Sequence, residues 1–218
     1  MLTGALLIGG GVLTGCNIVA PALLIVNGPP KVNAQYELDS AKTFVVFIDD
    51  PHSLLPSRDV RVQMGRACEE DLLTRGLVKD MVKSSAVLPL VRGEKRSELL
   101  SIEQVGAKVN AQGVIYAAIT QFTLSADGTQ YAPAVTMEVK VVDVATGSRL
   151  FPPEDSVRET FTLSMIEPNG QGDPPTTRAA LLQVQQSIAQ RAGVMLARMF
   201  YDAERQTPRT RREDAARP

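Results

Sequence analysis

The sequence predicts an α/β protein: a two-layer sandwich with a mixed sheet of about five to six strands and a long carboxyl-terminal helix packed on one face. Three observations carry that prediction. Thr43–Ile48 (TFVVFI) is a short β-rich apolar run followed by a helical pattern. Ala134–Val144 alternates, with Val135, Met137, Val139 and Val141 on one side and Thr136, Glu138 and Lys140 on the other. That is the pattern of a half-buried antiparallel strand. The segment Arg178–Ala203 carries Leu181, Val184, Ile188, Ala192, Met195 and Met199 as one stripe, over about seven turns of helix.

The remaining elements follow in order. Asp49-Asp50-Pro51 ends the first strand. After Pro56 and Ser57, the residues Val60, Met64, Ala67, Cys68 and Leu72 recur at helical spacing, and Gly76 stands where a C′ glycine is expected. Leu77–Val82 reads as a second strand and Ser84–Arg92 as a short helix broken near Pro89. Ser101-Ile102-Glu103-Gln104 matches a capping box, and Ile102, Val105 and Val109 give its helix an apolar side. Gly113–Phe122 reads as a strand, Asp127-Gly128 as a hairpin turn and Thr146-Gly147 as a further turn. Ser148–Phe151 and Val157–Met165 continue the sheet, with Pro152 and Pro153 marking an irregular edge. Ile166–Thr176 is a loop rich in Pro, Gly and Asn, and Thr177 caps the last helix.

Composition narrows the function classes. The chain has 218 residues, 44% hydrophobic and 22% charged, and a formal net charge of −1. That balance argues against a general nucleic-acid binder. Two cysteines and one histidine cannot supply the four ligands of a Cys/His zinc site. The charge is unevenly spread. Nothing before Lys31 is charged, and the tail Glu204–Pro218 holds Arg205, Arg209, Arg211, Arg212 and Arg217 against Glu204, Glu213 and Asp214. The expected organisation is therefore a signal over 1–15, a tether over 16–42, one α/β domain over 43–203 and a disordered basic tail over 204–218.

The amino terminus carries the sharpest motif. MLTGALLIGGGVLTG is an apolar, glycine-rich run of the export-signal kind, and Cys16 follows it. Leu13-Thr14-Gly15-Cys16 resembles the lipobox of bacterial lipoproteins, in which the cysteine is acylated and the signal is cut just before it. The resemblance implies a membrane anchor through acylated Cys16, since two or more acyl chains hold a domain stably at a bilayer. The absence of Lys or Arg near Met1 departs from the usual signal. A membrane-spanning helix is a competing reading, interrupted by Gly9-Gly10-Gly11, Asn17 and Pro21. A merely buried Cys16 is another. Asn17 stands where Asp would resemble an inner-membrane retention signal, so the outer membrane is the expected address.

Residues 43–203 resemble a family of envelope α/β domains that includes the amino-terminal domain of TolB, the curli-secretion lipoprotein CsgG and the lipoprotein activators of penicillin-binding proteins. The strand Phe44–Ile48 before a helix ending at Gly76, the segment Ile102–Tyr116 and the hairpin VKVVDVATGSRLF over 139–151 carry it. Val105-Gly106, Ile115-Tyr116, Val142-Asp143 and Thr146-Gly147 fit its phrases, whereas Asn110, Gln112 and Ala117 depart from them. The resemblance implies a fold and an envelope setting, and it transfers no functional residue.

Chemistry-bearing clusters are few. Asp49, Asp50 and His52 form the one acidic-plus-histidine group, just after a strand, where α/β sites often sit. A cation site or an enzyme centre is one reading. Loop solvation and capping is the other, because adjacent residues of an extended chain point apart. Cys68 and the methionines Met195 and Met199 lie on apolar stripes and read as core. No phosphate-binding glycine loop and no Gly-x-Ser-x-Gly elbow occurs outside the leader. The expectation is a non-catalytic, membrane-anchored accessory or scaffold protein with a protein or envelope-polymer partner, no cofactor, no metal and no nucleic acid. A tethered metal binder or enzyme using Asp49, Asp50 and His52, and an oligomeric secretion component, are the alternatives.

Overall fold

A computed structural model describes residues 31–91, 100–125, 131–166 and 174–204. The signal, Cys16, the Asp127-Gly128 turn, part of the Ile166–Thr176 loop and the tail beyond Glu204 lie outside the described residues.

Eight strands and four α-helices are described. In chain order they are β1 (Lys31–Val32), β2 (Phe44–Asp49), α1 (Arg58–Thr74), β3 (Met81–Val82), α2 (Leu88–Val91), α3 (Ile102–Lys108), β4 (Gly113–Thr123), β5 (Ala134–Asp143), β6 (Arg149–Phe151), β7 (Phe161–Ile166), α4 (Arg178–Ala197) and β8 (Ala203–Glu204). Single 3₁₀ turns lie at Ser84–Ala86 and Arg198–Phe200. The main sheet runs β3-β2-β4-β5-β6, with β7 also paired to β5. β3, β2 and β4 are parallel, while β5 is antiparallel to β4, β6 and β7. This is the predicted mixed α/β sheet with a long carboxyl-terminal helix.

The alternation of β2 divides the core in two. Phe44, Val46 and Ile48 face α1 and α4, where Met64, Cys68, Leu72, Ile188, Ala192 and Leu196 are buried with them. Val45 and Phe47 face the other way and pack with Val87, Val105, Ala111 and Val114. The second face is thus covered over β2 and the start of β4 by the 84–91 segment and α3. The two long helices approach closely at Gly193, where an added Cβ would lie 2.2 Å from the Met64 carbonyl oxygen. Only glycine fits that crossing.

Caps obey the local sequence. Ser57 accepts from the Val60 N–H at 3.4 Å and starts α1, and Gly76 follows it with φ +67°. Ser101 and Gln104 form the full capping box of α3. Thr177 accepts from the Ala180 N–H at the start of α4.

Several elements differ from expectation. The strand predicted over Leu77–Val82 pairs only at Met81–Val82, because the Leu77 N–H closes the end of α1 on the Leu72 carbonyl and Val78 turns into the core. The strand predicted from Val157 begins at Phe161, and Val157 is fully exposed. The last helix stops at Ala197, in a 3₁₀ turn that leads to extended Tyr201. There the Met199 carbonyl accepts from the Gln35 and Tyr36 N–H groups, and Asp202 accepts from Ala34. The segment expected as tether consequently joins the fold at its carboxyl-terminal end: β1 pairs with β8, and Leu38 is buried in the main core. Val32, Ala34, Tyr36 and Leu38 alternate with polar Asn33, Gln35, Glu37 and Asp39, a short extended pattern that the tether assignment passed over.

Candidate functional site

The acidic cluster after β2 does not converge. Asp49 is at the end of its strand and accepts a hydrogen bond from the Tyr116 hydroxyl at 2.8 Å, across the β2–β4 pair. Its other oxygen accepts from the Asp50 N–H. Burial, with help from this carboxylate, raises the Tyr116 hydroxyl pKa well above its usual value. Asp50 points elsewhere and organises the next turn. Its Oδ1 accepts from the Leu54 N–H at 2.7 Å and its Oδ2 from the Leu55 N–H at 3.0 Å. Arg61 Nη2 lies 3.7 Å from the same Oδ2. His52 is exposed on the loop between them. Neighbouring carboxylates on an extended chain point to opposite sides, so each finds a different partner. No group of three His, Cys, Asp or Glu side chains able to hold a metal ion occurs among the described residues.

The Asp50 turn borders an open cleft of about 290 Å³. Ser53 and Leu55 come from the β2–α1 loop, Arg58 and Arg61 from the first turn of α1, and Leu88 and Val91 from α2. Sequence reasoning singled out the aspartates and passed over these two arginines. The available signal was their three-residue spacing directly after the Ser57 cap, which puts both on one side of the helix.

A second strand-ending carboxylate is tied more tightly. Asp143 Oδ1 accepts from the Ala145 N–H at 3.1 Å, the Thr146 N–H at 3.0 Å and the Thr146 hydroxyl at 3.0 Å. Its Oδ2 pairs with the Lys42 ammonium. The Lys42 hydrogen bond, then the Thr146 N–H, holds the Asp143 carboxyl at about 2. The Val-Asp-x-x-Thr-Gly phrase is therefore a turn device: Asp143 caps the hairpin and Gly147 adopts φ +69°.

Two buried groups remain. Cys68 is wholly buried and burial pushes its thiol up, so it sits in the core as an inert apolar side chain. Glu69 accepts from the Ser84 N–H, which fastens the 3₁₀ turn to α1, and burial raises its carboxyl. No described helix is long and apolar enough to cross a membrane.

No protein-family model matches the chain, and no curated protein matches it. Solved structures do align with it. Lipoprotein GNA1162 from Neisseria meningitidis is 13% identical over 69% of this chain and 95% of its own, with a TM-score of 0.40. PelC from Paraburkholderia phytofirmans, described as a dodecamer, is 13% identical over 80% of this chain and 98% of its own, with a TM-score of 0.44. The LpoB carboxyl-terminal domain from Salmonella enterica is 16% identical over 68% and 93%, with a TM-score of 0.33. At TM-scores below 0.5 and this identity, these alignments assign neither a family nor a residue role to this chain.

Proposed function

We propose that this is a lipid-anchored protein of the bacterial envelope, acylated at Cys16, whose domain acts as a non-catalytic accessory or scaffold for a protein or envelope-polymer partner. The observation that carries the reading is Leu13-Thr14-Gly15-Cys16 at the end of an uncharged apolar run. Its setting agrees: the described fold starts at Lys31, so 14 residues separate Cys16 from β1. At about 3.3 Å per residue such a stretch spans at most about 50 Å, enough to hold the domain clear of the bilayer. The candidate acids support an accessory role as well, because each is engaged in its own turn or strand contact. Asn17 favours the outer membrane.

The test is metabolic labelling with palmitate in a bacterial host, followed by membrane fractionation. The wild-type chain takes up label and sediments with membranes; Cys16→Ala takes up none and is released. Label retained by Cys16→Ala, or a wild type that never labels, overturns the anchor.

A further inference from the structure

The cleft beside Asp50 has the position and lining of a ligand site that the anchoring function does not use. β2 and β3 are adjacent and parallel. After β2 the chain continues into α1, which packs on the Phe44–Val46–Ile48 face. After β3 it continues through 84–91, and Val87 and Leu90 join the opposite face with Val45 and Phe47. Where neighbouring connections part to opposite faces, a crevice opens outside the carboxyl ends of the strands, and open α/β sheets bind ligands there. The 290 Å³ cleft lies at that point, between the first turn of α1 and α2. Its size is at the small end for ligand pockets.

The lining selects a chemistry. Arg58 is exposed and makes no hydrogen bond or ion pair among the described residues. Arg61 forms an ion pair with Asp50 at 3.7 Å, beyond hydrogen-bonding distance, and its guanidinium makes no hydrogen bond among the described residues. Asp50 already accepts two backbone N–H bonds in addition. Among the described lining residues, two guanidiniums against one carboxylate leave one positive charge in excess. Leu55, Leu88 and Val91 supply the apolar part of the lining, and Ser53 and Ser57 complete it. A helix end alone would not choose a ligand; two guanidinium forks sharing a cleft with apolar side chains do, because guanidinium matches the planar or tetrahedral oxyanion bidentately.

We propose that this cleft binds a small molecule carrying one oxyanion, a carboxylate or a phosphate monoester, on a short apolar body. Arg58 and Arg61 hold the oxyanion, and Leu55, Leu88 and Val91 take the body. The site is independent of Cys16, so it stands or falls apart from the membrane anchor.

The test is a methyl-NMR titration of the full chain in detergent, following the Leu55, Leu88 and Val91 methyl groups. Phenyl phosphate, benzoate and inorganic phosphate are the probes; the first two separate the sources of the oxyanion. The expected result is saturable binding of phenyl phosphate or benzoate, tighter than inorganic phosphate. Arg58→Gln weakens it about tenfold, as loss of a charged hydrogen-bond donor should, and the double variant with Arg61→Gln weakens it further. Arg66→Gln, on α1 but paired with Glu70 away from the cleft, leaves it unchanged. Among the described residues Arg58 has no hydrogen-bond or ion-pair partner, so its single variant decides the matter even where the double variant fails to fold. Absent saturation, affinity unchanged in Arg58→Gln, or inorganic phosphate binding as tightly as phenyl phosphate overturns the proposal.

Discussion

The sheet is closed by an aspartate at each end, and the two ends differ in how completely the carboxylate is engaged. Asp143 ends β5 beside the start of β2 and β4, opposite Gly113. It holds its hairpin with three hydrogen bonds on one oxygen and Lys42 on the other. Packing there is dense: a Cβ on Gly113 would lie 2.3 Å from the Phe44 ring, and one on Gly106 would meet Val144 and Val114. Asp50 follows β2 at the other end, with two backbone N–H donors and a loosely placed arginine beside an open cleft. A carboxylate after a strand is thus first a turn-former. What separates a finished structural end from a candidate binding end is the charge left over beside it.

Mutations that remove each carboxylate should break the comparison unequally. Asp143→Ala strips three donors of their acceptor and leaves Lys42 without its partner. It should destabilise the domain by about 3 kcal/mol and lower Tm by about 6–12 °C in thermal unfolding. Asp50→Ala frees two backbone N–H groups and costs about 2 kcal/mol on the same measurement. If Asp50→Ala proves the more damaging of the two, the ranking of the two ends is wrong.

The acid limb of stability sharpens the same contrast. Asp143 is held at about 2, below its ordinary 3.8, chiefly by Lys42. A carboxyl depressed on folding contributes stability that is complete above its unfolded value and is lost as pH falls through its folded value. Denaturant unfolding should therefore show a loss of about 1–2 kcal/mol between about pH 4 and pH 2, and Asp143→Ala should lack this component. Glu69 works in the opposite sense, since burial raises its carboxyl above 4.5 and acidification relieves that cost. The smallest effect is expected at the one histidine. His52→Ala removes an exposed side chain with no partner among the described residues and should shift stability by less than about 0.5 kcal/mol.

Local rules made most of the fold legible. The capping box at Ser101, the cap at Thr177, the glycines after α1 and in the β5–β6 turn, and the alternation of β5 all follow from short-range chemistry and stand in the structure. Long-range docking was not legible. The alternation of Ala34, Tyr36 and Leu38 marks an extended segment but not its partner, because the Gln35 and Tyr36 N–H groups reach the Met199 carbonyl and the Ala34 N–H reaches the Asp202 carboxylate, all more than 160 residues away. The capping reading of the Asp49-Asp50 pair agrees with the contacts each makes. Strand alternation sends Asp49 and Asp50 to separate partners, as the sequence implies, while Arg58 and Arg61, which line the cleft, belong to no motif that would single them out.

The most direct measurement on the central claim is the mass of the amino-terminal peptide of the protein isolated from bacterial membranes. The account predicts a peptide that begins at Cys16 and carries the added mass of a diacylglyceryl group, with or without a further acyl chain. A peptide that runs through Gly15-Cys16 uncut, with an unmodified thiol, would contradict it.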